Sequence, residues 1–221
     1  MLNCTRIFTL ARLAACFAPA LMSQTDSSAS MPFYQTIDRE LDAAIQVSIA
    51  AVAESHPLRP EAQQQLAQAV AGLNIHGFDA PTQDNGIILR DAGVAALPVI
   101  EKLLLDPAAV TRRRAAFAIG LVWPRKKDSR SWSQRAEMER VLLPLLRRTV
   151  LDRDVDTRLL ALVNIDVVGK AVLARDRCVP SALRSALEQA ESRDPDAGLR
   201  VRALHVMESL GLRSSHETEA D

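Results

Sequence analysis

Residues that could carry out chemistry are few and widely spaced in this chain of 221 residues. The four histidines, His56, His76, His205 and His216, are scattered, and the sequence contains no HExxH, CxxC, GxSxG or glycine-rich phosphate motif. Cys178 precedes a predicted helix start, where a thiolate is stabilised, but no histidine accompanies it. We therefore predict no catalytic residue, no cofactor and no metal site.

A second group of candidates combines positive charge with tryptophan. Residues 112–148 contain eleven Lys or Arg and three acidic residues, whereas residues 31–111 contain four Lys or Arg and ten acidic residues. Tryptophan and arginine are enriched at interface hot spots, and the same combination could contact a nucleic-acid backbone and a base. The candidate partner-binding residues are Arg113, Arg114, Trp123, Arg125, Lys126, Lys127, Arg130 and Trp132. The alternative is that Trp123 fills a gap between structural units and the basic residues are solvated.

An internal repeat positions these candidates. Seven residues recur at a spacing of 46: Leu97, Pro98, Asp106, Arg112, Ala115, Ile119 and Val122 shift onto Leu143, Pro144, Asp152, Arg158, Ala161, Ile165 and Val168. A further shift of 42 takes Asp152, Arg158, Ala161, Leu162, Val168 and Gly169 onto Asp194, Arg200, Ala203, Leu204, Leu210 and Gly211. A period in the low forties with two helical stretches is the length of HEAT and armadillo repeats.

The spacing inside the unit resembles the HEAT-repeat signature over residues 93–212. A proline is followed by aspartate eight residues later and by arginine six residues after that, as in Pro98, Asp106 and Arg112. The resemblance implies antiparallel helix pairs stacked into a right-handed superhelix. It places the proline near the start of the first helix and the aspartate where it opens the turn and caps the second. It also implies a structural ladder between units, formed by Asp106, Arg112, Asp152, Arg158, Asp194 and Arg200.

These patterns predict an all-α fold, an α-solenoid of about four antiparallel helix pairs. The repeat domain spans 31–213, with a degenerate N-terminal unit at 31–75, a loop at 75–86, and clear units at 87–123, 134–170 and 179–212. We expect a disordered tail at 214–221. The predicted core comprises Leu97, Ile100, Leu104, Ile119, Val122, Leu143, Leu146, Leu162, Ile165, Val168, Leu183, Leu187, Leu204 and Met207.

Residues 1–30 are interpreted as a leader or a disordered N-terminal tail. The continuous apolar run from Leu13 to Met22 is near the minimum for a signal peptide and too short to span a membrane. The alternative is that translation begins at Met22 or Met31, since the residues from there onwards have the composition of an ordinary soluble N-terminus. We therefore expect no transmembrane segment and a cytoplasmic protein, with export to the periplasm through a weak signal at 1–23 as the alternative.

The function expected from this architecture is a non-catalytic helical-repeat scaffold that mediates protein–protein interaction. Arg113 and Arg114 begin a helix that in HEAT proteins lines the concave surface, so a binding face would include them. One alternative is nucleic-acid binding, or a HEAT-like enzyme of glycosylase-like or lyase-like type, using the basic segment 112–148. A protein partner ranks above nucleic acid. The other alternative is an exported envelope protein with an assembly role.

Overall fold

The structure, a computed structural model, describes residues 39–77, 79–123 and 130–213, apart from the side chains of 130–134. Within these ranges the chain is all-helical, as the sequence predicted, and contains no β-strand. None of the described helices combines the length and apolar character needed to cross a membrane. The predictions for 1–30 and 214–221 concern residues outside the described ranges.

Nine α-helices are found in the described residues. They are α1 (Arg39–Ser55), α2 (Pro60–Ala71), α3 (Ala80–Ala92), α4 (Leu97–Leu104), α5 (Ala109–Val122), α6 (Arg130–Thr149), α7 (Val155–Asp176), α8 (Ser181–Arg193) and α9 (Ala197–Ser209); a 3₁₀ turn, Gly93–Ala96, precedes α4. The pairs α4/α5, α6/α7 and α8/α9 fall on the three clear units expected from the repeat. The second pair is longer than expected, because α6 begins before residue 134 and α7 continues beyond residue 170.

Each helix of the three pairs packs against its partner within the pair and against helices of the neighbouring pairs. Within each pair the two helices contact one another; between pairs, α5 contacts α3 and α7, α7 contacts α9, and α6 contacts α4 and α8. Ile100, Ile119, Leu142, Leu162 and Leu187 are completely buried in one continuous core. Of the predicted core residues, all are buried except Leu143 and Leu204, which are half-buried. Apolar residues spaced three and four apart therefore face neighbouring helices, as their periodicity indicated.

The N-terminal helices differ from the expected unit at 31–75. α1 packs mainly against α4 and α6, whereas α2 packs against α3, α4 and α5, so α1 and α2 do not form a helix pair of their own. The loop predicted at 75–86 is also wrong, because α3 begins at Ala80. The side chain of Asp79 accepts a hydrogen bond from the Thr82 amide at 2.9 Å, and Pro81 lies in the first turn, where its missing N–H costs little.

Two predicted roles within the units also need correction. Pro144 lies well inside α6 rather than near a helix start, because α6 already begins at Arg130. Asp152 and Asp194 do not cap the second helices. They accept from the amides of Asp154 and Asp196, both at 2.8 Å, which forms a turn before each helix. Asp154 and Asp196 are the caps, accepting from the amide three residues later at 2.9 and 3.0 Å.

The second helices α5 and α7 approach closely at Gly120. The buried Asn164 side chain of α7 donates from Nδ2 to the Ala116 carbonyl of α5 at 2.7 Å. A Cβ atom on Gly120 would lie 2.4 Å from Asn164 Oδ1, far inside van der Waals contact. Glycine is therefore required here by the spacing of the two helices.

Candidate functional site

Two arginines at equivalent repeat positions join neighbouring helix pairs. Arg112 of α5 donates from Nε and Nη2 to the Asp152 carboxylate, with a closest distance of 2.9 Å. Arg158 of α7 binds Asp194 with the same atoms, at 2.8 and 3.0 Å. In both cases Nη1 also donates to two carbonyl oxygens of the turn before the arginine's own helix. These side chains are buried and fully engaged between units, so they hold the fold rather than a ligand.

The two outer members of the predicted ladder are placed differently. Arg200 of α9 donates from Nη1 to the carbonyls of Asp194 and Pro195, at 2.6 and 3.3 Å, but has no carboxylate partner among the described residues. The Asp106 carboxylate accepts the Ala108 amide at 2.8 Å, and no described arginine binds that carboxylate. The structure thus brings together the inner four residues of the ladder and leaves one member at each end without its counterpart.

Arg113, predicted to bind a partner, is engaged within the protein. It donates from Nε and Nη2 to Asp154 at 2.9 and 2.7 Å, and its Nη1 lies 2.9 Å from Asp156. Its side chain is 29% exposed. Two carboxylates therefore share this guanidinium and use most of its hydrogen-bonding capacity. The binding of Arg113 to a partner stays a prediction.

The pKa values of the two carboxylates beside Arg113 are shifted in opposite directions. Burial tends to raise the pKa of Asp154, but hydrogen bonds from Arg113 and Thr157 outweigh burial and hold that pKa below its usual value. For Asp156 burial dominates and raises the pKa, against the opposing charge of Arg113. The hydrogen bond to Asp154 in turn raises the pKa of Arg113. Asp154 therefore forms the principal ion pair, and Asp156 is the weaker acid.

Arg114 borders a groove of about 380 Å³ between the α2–α3 connection and the first turns of α5. One wall is formed by residues 71–76 and Asp79, and the other by Val110, Arg113 and Arg114. Val110 is 49% exposed, and Arg114 is half-buried without a hydrogen bond or ion pair to any described residue. An arginine with no partner among the described residues, beside an exposed apolar side chain, is a combination suited to an acidic and apolar segment of a protein.

The other predicted partner-binding residues do not join this groove. Trp123 is 3% exposed and packs in the core, so the alternative interpretation, in which it fills a gap between units, describes its position. Arg125, Lys126 and Lys127 lie outside the described residues. The backbones of Arg130 and Trp132 belong to α6, which begins before the unit expected at 134–170, and their side chains lie outside the described part.

A larger groove, of about 510 Å³, lies between the end of α1, α2 and α4. Near it, His56 Nε2 lies 3.0 Å from Glu137 Oε2, and Ser55 Oγ lies 3.2 Å from Glu137 Oε1. A hydrolase triad requires the hydroxyl to be bonded to the imidazole, whereas here both groups bind the same carboxylate. The hydrogen bond with His56 lowers the pKa of Glu137, as a structural contact between α1 and α6 would.

The groove beside Arg114 was not predictable from the repeat. One of its walls includes the turn before α3, and the start of α3 was predicted to be a loop. Arg113, on the other wall, corresponds to leucine in the next unit, so the repeat does not mark this position. The only available signal was Asp79 followed by Pro81, a helix-start pattern. Among the described residues, no three His, Cys, Asp or Glu side chains come together in a way that could hold a metal ion.

Comparison of the chain with protein-family models, with curated proteins and with solved structures finds no match.

Proposed function

We propose that this chain is a HEAT-like α-solenoid, a non-catalytic helical-repeat scaffold that holds a segment of another protein. The observation that carries the proposal is the repeated ion pair, Arg112 with Asp152 and Arg158 with Asp194. Both arginines use Nε and Nη2 for the aspartate and Nη1 for the carbonyls of their own turn. Such a recurrence is expected when similar units stack on one another in the same way. Stacked units leave an extended surface along the starts of their second helices.

That surface has the chemistry of a protein-binding face. Val110 and Val155 lie in the first turns of α5 and α7, Val201 is the fifth residue of α9, and the three side chains are 49%, 38% and 52% exposed. Arg114, which has no partner among the described residues, lies beside the groove that Val110 also lines. Exposed apolar side chains favour a protein segment over nucleic acid, whose binding depends mainly on clustered positive charge. We propose a partner segment with apolar residues and at least one acidic residue facing Arg114.

Affinity purification from native extract tests this function. We expect Arg114→Glu to abolish recovery of a specific partner, and Arg184→Glu to leave it intact, because Arg184 is an exposed arginine on α8, away from the groove. Arg113 is left unchanged, since its ion pairs would confound the result. Half of each sample is treated with nuclease. Recovery that both glutamate variants retain, or that nuclease removes, would contradict a protein-binding role for this face.

A further inference from the structure

We propose that Arg200 is an open position of the ion-pair ladder and binds a carboxylate of the acidic C-terminal segment 214–221. Arg112 and Arg158 each use Nε and Nη2 for the aspartate of the next unit and Nη1 for their own turn. Arg200 makes the Nη1 contacts to its own turn, at 2.6 and 3.3 Å. Its Nε and Nη2 have no carboxylate partner in the described residues, because no further helix pair follows α9 within them.

In the two preceding units, the residue four positions after the ladder arginine is completely covered by neighbouring residues. Ala116 and Leu162 are completely buried, whereas Leu204, at the equivalent position of the last unit, is half-buried. Leu204 is four residues from Arg200 on α9, so the two side chains lie on the same face of the helix. A half-covered leucine beside a guanidinium that has no carboxylate partner in the described residues favours an anionic occupant that also covers apolar area.

The direction of the chain after α9 selects the C-terminal segment as that occupant. Gly211 has φ +65°, and the Leu212 amide donates back to the Met207 carbonyl at 2.9 Å, so the chain reverses. Arg213 then binds Glu191, near the end of α8 that adjoins the start of α9, at 2.6 Å. At Arg213, the last residue that the structure describes, the chain is therefore running back towards the turn that precedes Arg200.

The separation along the α9 axis between Arg200 and Met207, to whose carbonyl the returning chain is bonded, is short enough for the segment to span. Met207 lies seven residues beyond Arg200 on α9, which corresponds to about 10 Å along the helix axis. Four extended residues reach about 13 Å. Glu217, the first acid after Arg213, is four residues on, and Glu219 and Asp221 follow. We therefore assign Glu217 as the first carboxylate within reach.

A second copy of the chain is a poorer occupant. Its counterpart to Asp194 would be Asp106, the ladder aspartate whose carboxylate binds no described arginine. However, α2 and α3 pack against α5 at that end of the molecule and occupy the surface by which a second copy would stack.

The test compares the chain of 221 residues with a variant in which Glu217→Gln, Glu219→Gln and Asp221→Asn remove three side-chain carboxylates. The expected results are a Tm lower by about 2 °C at low salt and a shifted Nε–Hε NMR resonance of Arg200. The Tm difference should disappear in an Arg200→Gln background and persist in an Arg184→Gln background. It should also shrink in about 0.5 M NaCl, where exposed charges are screened.

Three outcomes would overturn the proposal. One is an unchanged Tm together with an unchanged Arg200 resonance in the amide variant. Another is an equal loss of Tm in the Arg200→Gln and Arg184→Gln backgrounds, which would show that the segment acts elsewhere. The third is a loss that depends on protein concentration together with a dimer in light scattering, which would assign Arg200 to a second copy.

Discussion

Replacing Arg158 with alanine should lower the free energy of unfolding by about 3–5 kcal/mol, because it leaves a buried carboxylate without its counter-charge. Asp194 is only 2% exposed and receives two hydrogen bonds from Arg158, at 2.8 and 3.0 Å. The substitution also removes the Arg158 bonds to the carbonyls of Asp152 and Arg153. For a chain of this size the loss corresponds to a fall in Tm of about 6–20 °C, measured by thermal unfolding followed by circular dichroism.

Arg200→Ala is the matched control for this prediction. Arg200 occupies the equivalent position, is half-buried, and binds two carbonyl oxygens but no described carboxylate. Its loss should cost only about 1 kcal/mol. A double variant, Arg158→Met with Asp194→Leu, should recover much of the stability lost in Arg158→Ala, since it removes both buried charges. If Arg158→Ala melts within about 2 °C of the wild type, or no lower than Arg200→Ala, the ion pair does not hold the units together.

Two further predictions concern the contact between α5 and α7. Gly120→Ala should lower the free energy of unfolding, measured by chemical denaturation, by about 1–3 kcal/mol, because the new Cβ would lie 2.4 Å from Asn164 Oδ1. Gly86→Ala is the control: its new Cβ would lie 3.6 Å from the nearest atom, so the substitution should be neutral or slightly stabilising. The pKa of Asp154 is lower in the folded state than its unfolded value of 3.8, so its ion pair stabilises the fold above that pH and is lost as the pH falls through the folded pKa. The Tm difference between wild type and Asp154→Asn should therefore be largest near neutral pH and shrink below pH 3.8, and a difference independent of pH would refute this role.

The positions of the paired arginines and aspartates were predictable because the repeat is visible in the sequence. Arg112 and Arg158 recur at a fixed spacing, and buried residues such as Ile119 recur with them. Helix periodicity and repeat spacing are properties of the sequence itself, so the positions they predict depend little on tertiary context. The all-helical class followed from the same patterns.

The surroundings of Arg113 were not predictable in the same way. Its partners Asp154 and Asp156 lie more than forty residues away, and the equivalent residue in the next unit is Leu159, so no repeat marks the contact. Trp123 was also ambiguous, because a tryptophan at the end of a repeat helix is equally compatible with packing and with recognition. Its burial is decided by how the helices pack around it, which the local sequence does not encode.

The start of α3 was missed for a different reason. Pro81, Asn85 and Gly86 are turn-forming residues, and their local preference pointed to a loop. The helix forms because Asp79 caps it and because α3 packs against α2 and α5. Tertiary contacts thus outweigh weak intrinsic preference in this segment.

Site-specific photo-crosslinking tests the proposed binding face most directly. A photoreactive residue is placed at Val110, beside the groove, or at Val47 on α1, which is 71% exposed and remote in sequence from the groove wall. In native extract treated with nuclease, the account predicts a discrete protein adduct from position 110 that Arg114→Glu removes, and none from position 47. Equal adducts from both positions, or an adduct at 110 that persists in Arg114→Glu, would contradict it.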